Sequence, residues 1–98
     1  MPRPKRKRHI DCPPAATYYK PQGIPMTELD EAVLSIDEFE AIRLVDAENM
    51  GREEASEKMS VSKPTLCRIL ASARATVAAA LASGKALRIE GGHYKVKE

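Results

Sequence analysis

The chain has no tryptophan, a single phenylalanine and three tyrosines, so aromatic residues make up only 4% of its 98 residues. Its core must therefore be aliphatic and rich in alanine. It has two cysteines, Cys12 and Cys67, and no CxxC pair, which excludes the disulfide framework of a small secreted domain. On first reading no apolar run is long enough to span a membrane. The basic N-terminus lacks the apolar stretch of a secretory signal. A cytosolic, reducing location is the expectation. No nucleophile–base pair, no carboxylate-plus-histidine cluster and no phosphate-cradling glycine loop is present, so neither an enzyme nor a small-molecule substrate is expected.

The length fits one domain, and a chain this short buries a modest share of its surface, so a homodimer would gain stability. The apolar fraction of 43% lies in the globular range. The net charge of +2 conceals a strong segregation. Residues 1–27 hold six bases and one acid, residues 28–57 two bases and eleven acids, and residues 58–98 eight bases and two acids. Electrically different faces follow from such segregation.

The first eight residues, MPRPKRKR, are a basic arm carrying Arg3, Lys5, Arg6, Lys7 and Arg8. Self-repulsion and two prolines favour an extended chain able to track a DNA backbone or enter a minor groove. Pro13, Pro14, Pro21 and Pro25 then exclude any long helix, and Thr17–Lys20 reads as a short edge strand. Tyr18 and Tyr19 in it read as packing groups. Residues 1–27 thus form a basic arm and a proline-rich extended segment, and residues 28–98 a helical domain.

In that domain Thr27–Leu34 is a candidate for one helical turn. Ser35 and Glu38 make a capping box for a first helix. Ile36, Phe39, Ile42 and Val45, with Leu44 beside them, mark its inward face, with Phe39 central to the core. Asp37, Glu38, Glu40, Asp46 and Glu48 are then expected mostly in solvent. Arg52–Met59 is a short second helix with Ala55 and Met59 inward, and Ser60-Val61 is a tight turn. Ser62 is the N-cap of a long third helix, with Pro64 tolerated in its first turn. Leu66, Ile69, Leu70, Ala73, Val77 and Leu81 form that helix's buried stripe, and Gly84 ends it. This is the spacing of a helix-turn-helix, although Ser60 and Ser56 stand where glycine and alanine are usual.

From Lys58 to Ile89 there is no acidic residue. The third helix is expected to display Ser62, Lys63, Thr65, Cys67 and Arg68 to a major groove. Arg68 is suited to guanine and Thr65 to a phosphate or a thymine methyl, while Lys63, Arg74 and Arg52 are placed for phosphates. The expected partner is double-stranded DNA and the expected role transcriptional regulation. The alternative is a protein-interaction module whose acidic first helix binds a basic partner.

The stretches TYYKPQGIP, DEFEAIRLVD, EEASEKMSVSKPTLCRIL and GKALRIEGGHY resemble an uncharacterised prokaryotic family, UPF0251, in the family's order and over nearly the whole chain. That resemblance implies a small helix-turn-helix protein similar to region four of bacterial sigma factors, with DNA binding carried by Ser62 to Arg68. Cys67 stands where relatives often have glutamine, so no base preference transfers there. Some relatives carry a further C-terminal domain resembling iron–molybdenum cofactor proteins, into which this sequence does not extend.

The remaining segments leave choices open. Ala86–Glu90 alternates as a half-buried strand should, and Gly91-Gly92 suits a hairpin turn to His93–Val96. The first of these strands is also a candidate to pair with Thr17–Lys20. The hairpin would serve as a DNA wing, a dimer contact or a lid. His9 and Cys12, with His93 remote in sequence, are too few to make a metal site, so no metal or cofactor is expected. Cys67 is read as a small helix residue rather than a redox switch. The expected fold is mainly α: a helix-turn-helix bundle with a basic N-terminal arm and a short C-terminal β-hairpin.

Overall fold

The computed structural model describes residues 7–11 and 13–96. Three helices form its body. Helix α1 (Ile36–Ile42) starts at a complete capping box: the Ser35 hydroxyl accepts the Glu38 N–H, and the Glu38 carboxylate accepts the Ser35 N–H. It runs on through a π-helical turn at Arg43–Ala47, closed by the Glu48 N–H on the Arg43 carbonyl at 3.0 Å. Helix α2 (Arg52–Lys58) and helix α3 (Lys63–Ser83) follow. Ser60 makes the turn between α2 and α3 with a φ of 57°, the left-handed conformation for which glycine is usual. Ser62 caps α3 by accepting the Thr65 N–H, and Gly84 ends it at φ 64°.

Five short strands edge the helices. Strands β1 (Arg8–Ile10) and β5 (Tyr94–Val96) pair in parallel, with Arg8 opposite Tyr94 and Ile10 opposite Val96. In the second sheet β4 (Ala86–Ile89) is central. On one side it pairs antiparallel with β2 (Tyr18–Tyr19), and on the other it pairs in parallel with β3 (Glu31–Leu34). The expected pairing of Ala86–Glu90 with Thr17–Lys20 is therefore present. The expected C-terminal hairpin is not. Both edges of β4 are taken, so β5 has nowhere to pair on it. Gly91 and Gly92 adopt positive φ values of 77° and 97°, but they carry the chain across the start of α1 instead of reversing it. There the Ile36 N–H donates to the Gly91 carbonyl at 3.0 Å.

The expected helical turn over Thr27–Leu34 is also replaced. A single 3-10 turn forms at Met26–Glu28 without a side-chain cap, and Glu31–Leu34 alternates into β3 with Leu34 buried. Both sheets thus tie the N-terminal segment, from Arg8 onward, to the end of the chain.

One apolar cluster joins the three helices through Ala41, Leu44, Ala55, Met59, Leu66, Ile69 and Leu70, with Val61 packed against it. A second sets the sheet on α1 and α3 through Leu34, Ala73 and Ile89, flanked by half-buried Phe39 and Val77. Phe39, expected at the centre, lies at this cluster's edge. Leu81, expected in the stripe of α3, is 79% exposed, and its neighbour Ala80, at 4%, is the buried residue there instead. By length and mean hydropathy α3 is also apolar enough to cross a membrane, which the reading of the sequence missed. A soluble core helix passes the same test, and the face bearing Leu66, Ile69, Leu70 and Ala73 is packed inside this fold.

The acids of α1 depart most from expectation. Asp37 and Glu40 are 3% and 1% exposed. Strand β1 lies across this face and supplies partners: Arg8 pairs with Asp37, and the Asp11 N–H donates to Glu40 at 2.9 Å. Arg43 completes the second pair with bonds of 2.7 and 2.9 Å to the two Glu40 oxygens. It also reaches Asp11 at 3.0 Å and Glu48 at 3.3 Å. These carboxylates push the Arg43 guanidinium further above its ordinary value, Glu40 most strongly.

Candidate nucleic-acid interface

The start of α3 carries a hydrogen-bonded run of polar side chains. Its N-cap is more than a single bond. The Ser62 hydroxyl accepts the Thr65 N–H at 3.2 Å and lies 2.9 Å from Thr65 Oγ1, which also accepts from the Arg68 guanidinium at 3.2 Å. A run from cap to base is thereby set along one edge of the helix. Ser62, Lys63 and Arg68 are exposed, while Thr65 and Cys67 are half-buried. No acid occupies the first turn, so the partial positive charge of the helix terminus is left uncompensated by the helix itself.

The turn before α3 is braced from outside. The His9 N–H donates to the Met59 carbonyl at 3.0 Å, and the His9 ring lies 3.1 Å from the Ser60 hydroxyl. Strand β1 therefore holds the α2–α3 turn, a link between N-terminus and turn that no local pattern in the sequence contains.

The other candidate cations divide. Arg52 is exposed at the start of α2, beside exposed Glu53 and Glu54. Arg74 is committed: its guanidinium grips both oxygens of Asp46 at 2.6 and 3.0 Å, which lowers the Asp46 carboxyl below its ordinary range and raises the arginine. Arg8 is half-buried against Asp37, and Lys7 is exposed. Arg3, Lys5 and Arg6 lie outside the described residues, as does Cys12. Among the described residues no group of histidine, cysteine and carboxylate could hold a metal ion.

Sequence reasoning missed a neighbourhood. Arg68 borders a hollow of about 310 Å³ shared with Arg8, Ser72 and His93. The root of the basic arm and the first half of α3 thus share one side of the molecule. Glu38 belongs to the same hollow, where its carboxylate accepts from the Ser72 hydroxyl and from the Ser35 N–H and hydroxyl. The sequence signal nearest to it is Gly91-Gly92, which suggests a hairpin turn leading into a strand from His93.

On the sheet, Arg88 stacks 5.0 Å over the Tyr18 ring and pairs with Glu31, which also accepts from the Tyr18 hydroxyl at 2.7 Å. That bond raises the tyrosine, and Arg88 lowers the carboxyl. Tyr18 is half-buried in this group, whereas Tyr19, expected to pack as well, is 52% exposed.

The arrangement defines a small, mainly helical protein edged by two short sheets, whose longest helix opens on a capped and base-bearing face. The chain belongs to the family described as "Protein of unknown function DUF134", whose model matches residues 1–97. It is similar to a UPF0251 protein of Pelotomaculum thermopropionicum, 58% identical over 98% of this chain and 73% of that one. A UPF0251 protein of Thermoanaerobacter sp. is 51% identical over 100% of this chain and 87% of the relative. One from Clostridium botulinum is 45% identical, and there this chain spans 62% of the relative's length. No solved structure matches.

Proposed function

We propose that this protein binds double-stranded DNA and regulates transcription, with α2 and α3 acting as a helix-turn-helix like that of sigma factor region four. The N-terminal half of α3 lies in the major groove. The observation that carries the reading is the start of α3: Ser62 caps it, Lys63 and Arg68 stand exposed, and no carboxylate occurs from residue 58 to residue 89. A helix N-terminus so equipped suits phosphates and base edges together. Arg68 reads a base through its guanidinium, and Lys63, Lys7 and Arg52 meet phosphates. A homodimer in the cytoplasm accompanies this reading, because one recognition helix reads few base pairs and two half-sites read more.

The alternative, an acidic α1 that docks on a basic partner, loses its main support from the burial of Asp37 and Glu40 and the pairing of Asp46 with Arg74. Acids buried or ion-paired within the chain have less charge to offer a partner than a solvated face.

Fluorescence anisotropy with a labelled random duplex over a salt series tests the proposal. Binding that weakens steeply with salt, and by about tenfold or more in Arg68→Ala, is expected. No binding by the wild type even at low salt would overturn it.

A further inference from the structure

We infer that the hollow beside Arg68 seats one backbone phosphate of the bound duplex, with Arg68 on one wall and His93 on the other. The inference rests on the DNA reading and adds to it a contact element outside the helix-turn-helix, the loop of residues 91–93.

The loop is anchored on both sides of its imidazole. The Gly91 carbonyl accepts the Ile36 N–H at 3.0 Å, and the His93 carbonyl accepts the Arg8 N–H at 3.1 Å. Between them Gly92 lies so close to Asp37 that a Cβ there would collide with Oδ1. The loop therefore stands fixed against the start of α1, with His93 exposed and bordering the same hollow as Arg68.

Charge decides what the hollow accepts. Arg8 and Asp37 cancel each other in a close ion pair. Arg68 has no carboxylate partner among the described residues. Its one described side-chain bond is to Thr65 Oγ1. Two carboxylates border the hollow: Asp37, whose Oδ2 pairs with Arg8 while its Oδ1 has no partner among the described residues, and Glu38, whose oxygens are turned to Ser35 and Ser72. A singly charged diester phosphate matches a guanidinium and an imidazole that border one space. The hollow meets the donor run from Ser62 through Thr65 at Arg68, which belongs to both.

The test uses two charge changes with opposite expected signs. Glu38→Gln keeps the capping box, because glutamine serves at that position, and removes one of the two opposing charges. His93→Glu places a carboxylate on the exposed wall. In the duplex anisotropy assay, with folding checked by circular dichroism, Glu38→Gln is expected to bind about threefold more tightly and His93→Glu about threefold or more weakly, both effects fading with salt. If the wild type binds and Arg68→Ala weakens it while both charge variants bind like the wild type, the phosphate seat is overturned and the helix reading stands. If the wild type binds no duplex, both readings fall together.

Discussion

Replacing Glu40 tests what holds the N-terminal strand to the helices. Its carboxylate is 1% exposed and accepts three bonds: two from the Arg43 guanidinium at 2.7 and 2.9 Å and one from the Asp11 N–H at 2.9 Å. Glu40→Ala strands both donors. Removing one member of a buried ion pair costs about 3–5 kcal/mol, because the other charge is left without its partner. Arg43 keeps Asp11 and Glu48, and its side chain is 22% exposed, so some of its charge reaches solvent. The expected loss is therefore at the low end, about 3 kcal/mol. At roughly 4–8 °C per kcal/mol for a domain of this size, the melting temperature falls by about 12–24 °C. Glu40→Gln keeps an acceptor for Asp11 but turns a neutral amide toward Arg43, and should cost about half as much. Urea and thermal unfolding followed by circular dichroism measure both variants, and hydrogen exchange at the Asp11 amide reports the docking of β1. An alanine variant within about 0.5 kcal/mol of the wild type would refute the argument, since a half-buried guanidinium and an amide that both lose their Glu40 acceptor cannot be that cheap.

Two further outcomes follow from the same physics. Arg74 holds the Asp46 carboxyl below its ordinary range, so the unfolded state binds a proton before the folded state does. The pair's contribution is complete above the unfolded value, about 4, and is lost as pH falls through the lower folded value. The difference in urea midpoint between wild type and Arg74→Ala should thus shrink toward zero as pH is lowered from 7 through that range, and a constant difference would remove the ion pair as its cause. Gly92→Ala forces a side chain into a φ of 97° and against Asp37 Oδ1, and a loss of about 1–3 kcal/mol in urea unfolding is expected. Stability equal to the wild type would show that the loop can leave α1 without cost.

Local chemistry in the sequence was enough to locate the start of α1 and both ends of α3. Ser35 with Glu38, Ser62 before Pro64, and Gly84 after an alanine run each act within one turn of chain, and all three do in the structure what their positions imply. Ala55, Met59, Leu66 and Leu70 were legible because helical spacing puts them on facing stripes. The sheets were less so. A strand's partner is set by which edges are free, and β4 is occupied by β2 and β3, one from each side. The sequence of β4 and β5 alone, with two glycines between them, carries no trace of that competition.

The acids of α1 show why the candidate site was only half legible. Asp37 and Glu40 have the residue types and spacing of a solvated helix face, and β1 turns that face into an interior. Arg8, counted with the arm, is consumed in doing so, and Arg74, counted with α3, is held by Asp46. Two of the bases that the sequence offered to a phosphate thus serve the fold. Arg68 and Lys63 stay exposed because they lie off the buried stripe of Leu66, Ile69 and Leu70, and no ion pair among the described residues takes either of them. A base is available to a partner only where the fold supplies no carboxylate of its own. Lys63 and Arg68, on the opening turns of α3, meet that condition among the described residues, and an anion there would add a partner without displacing one.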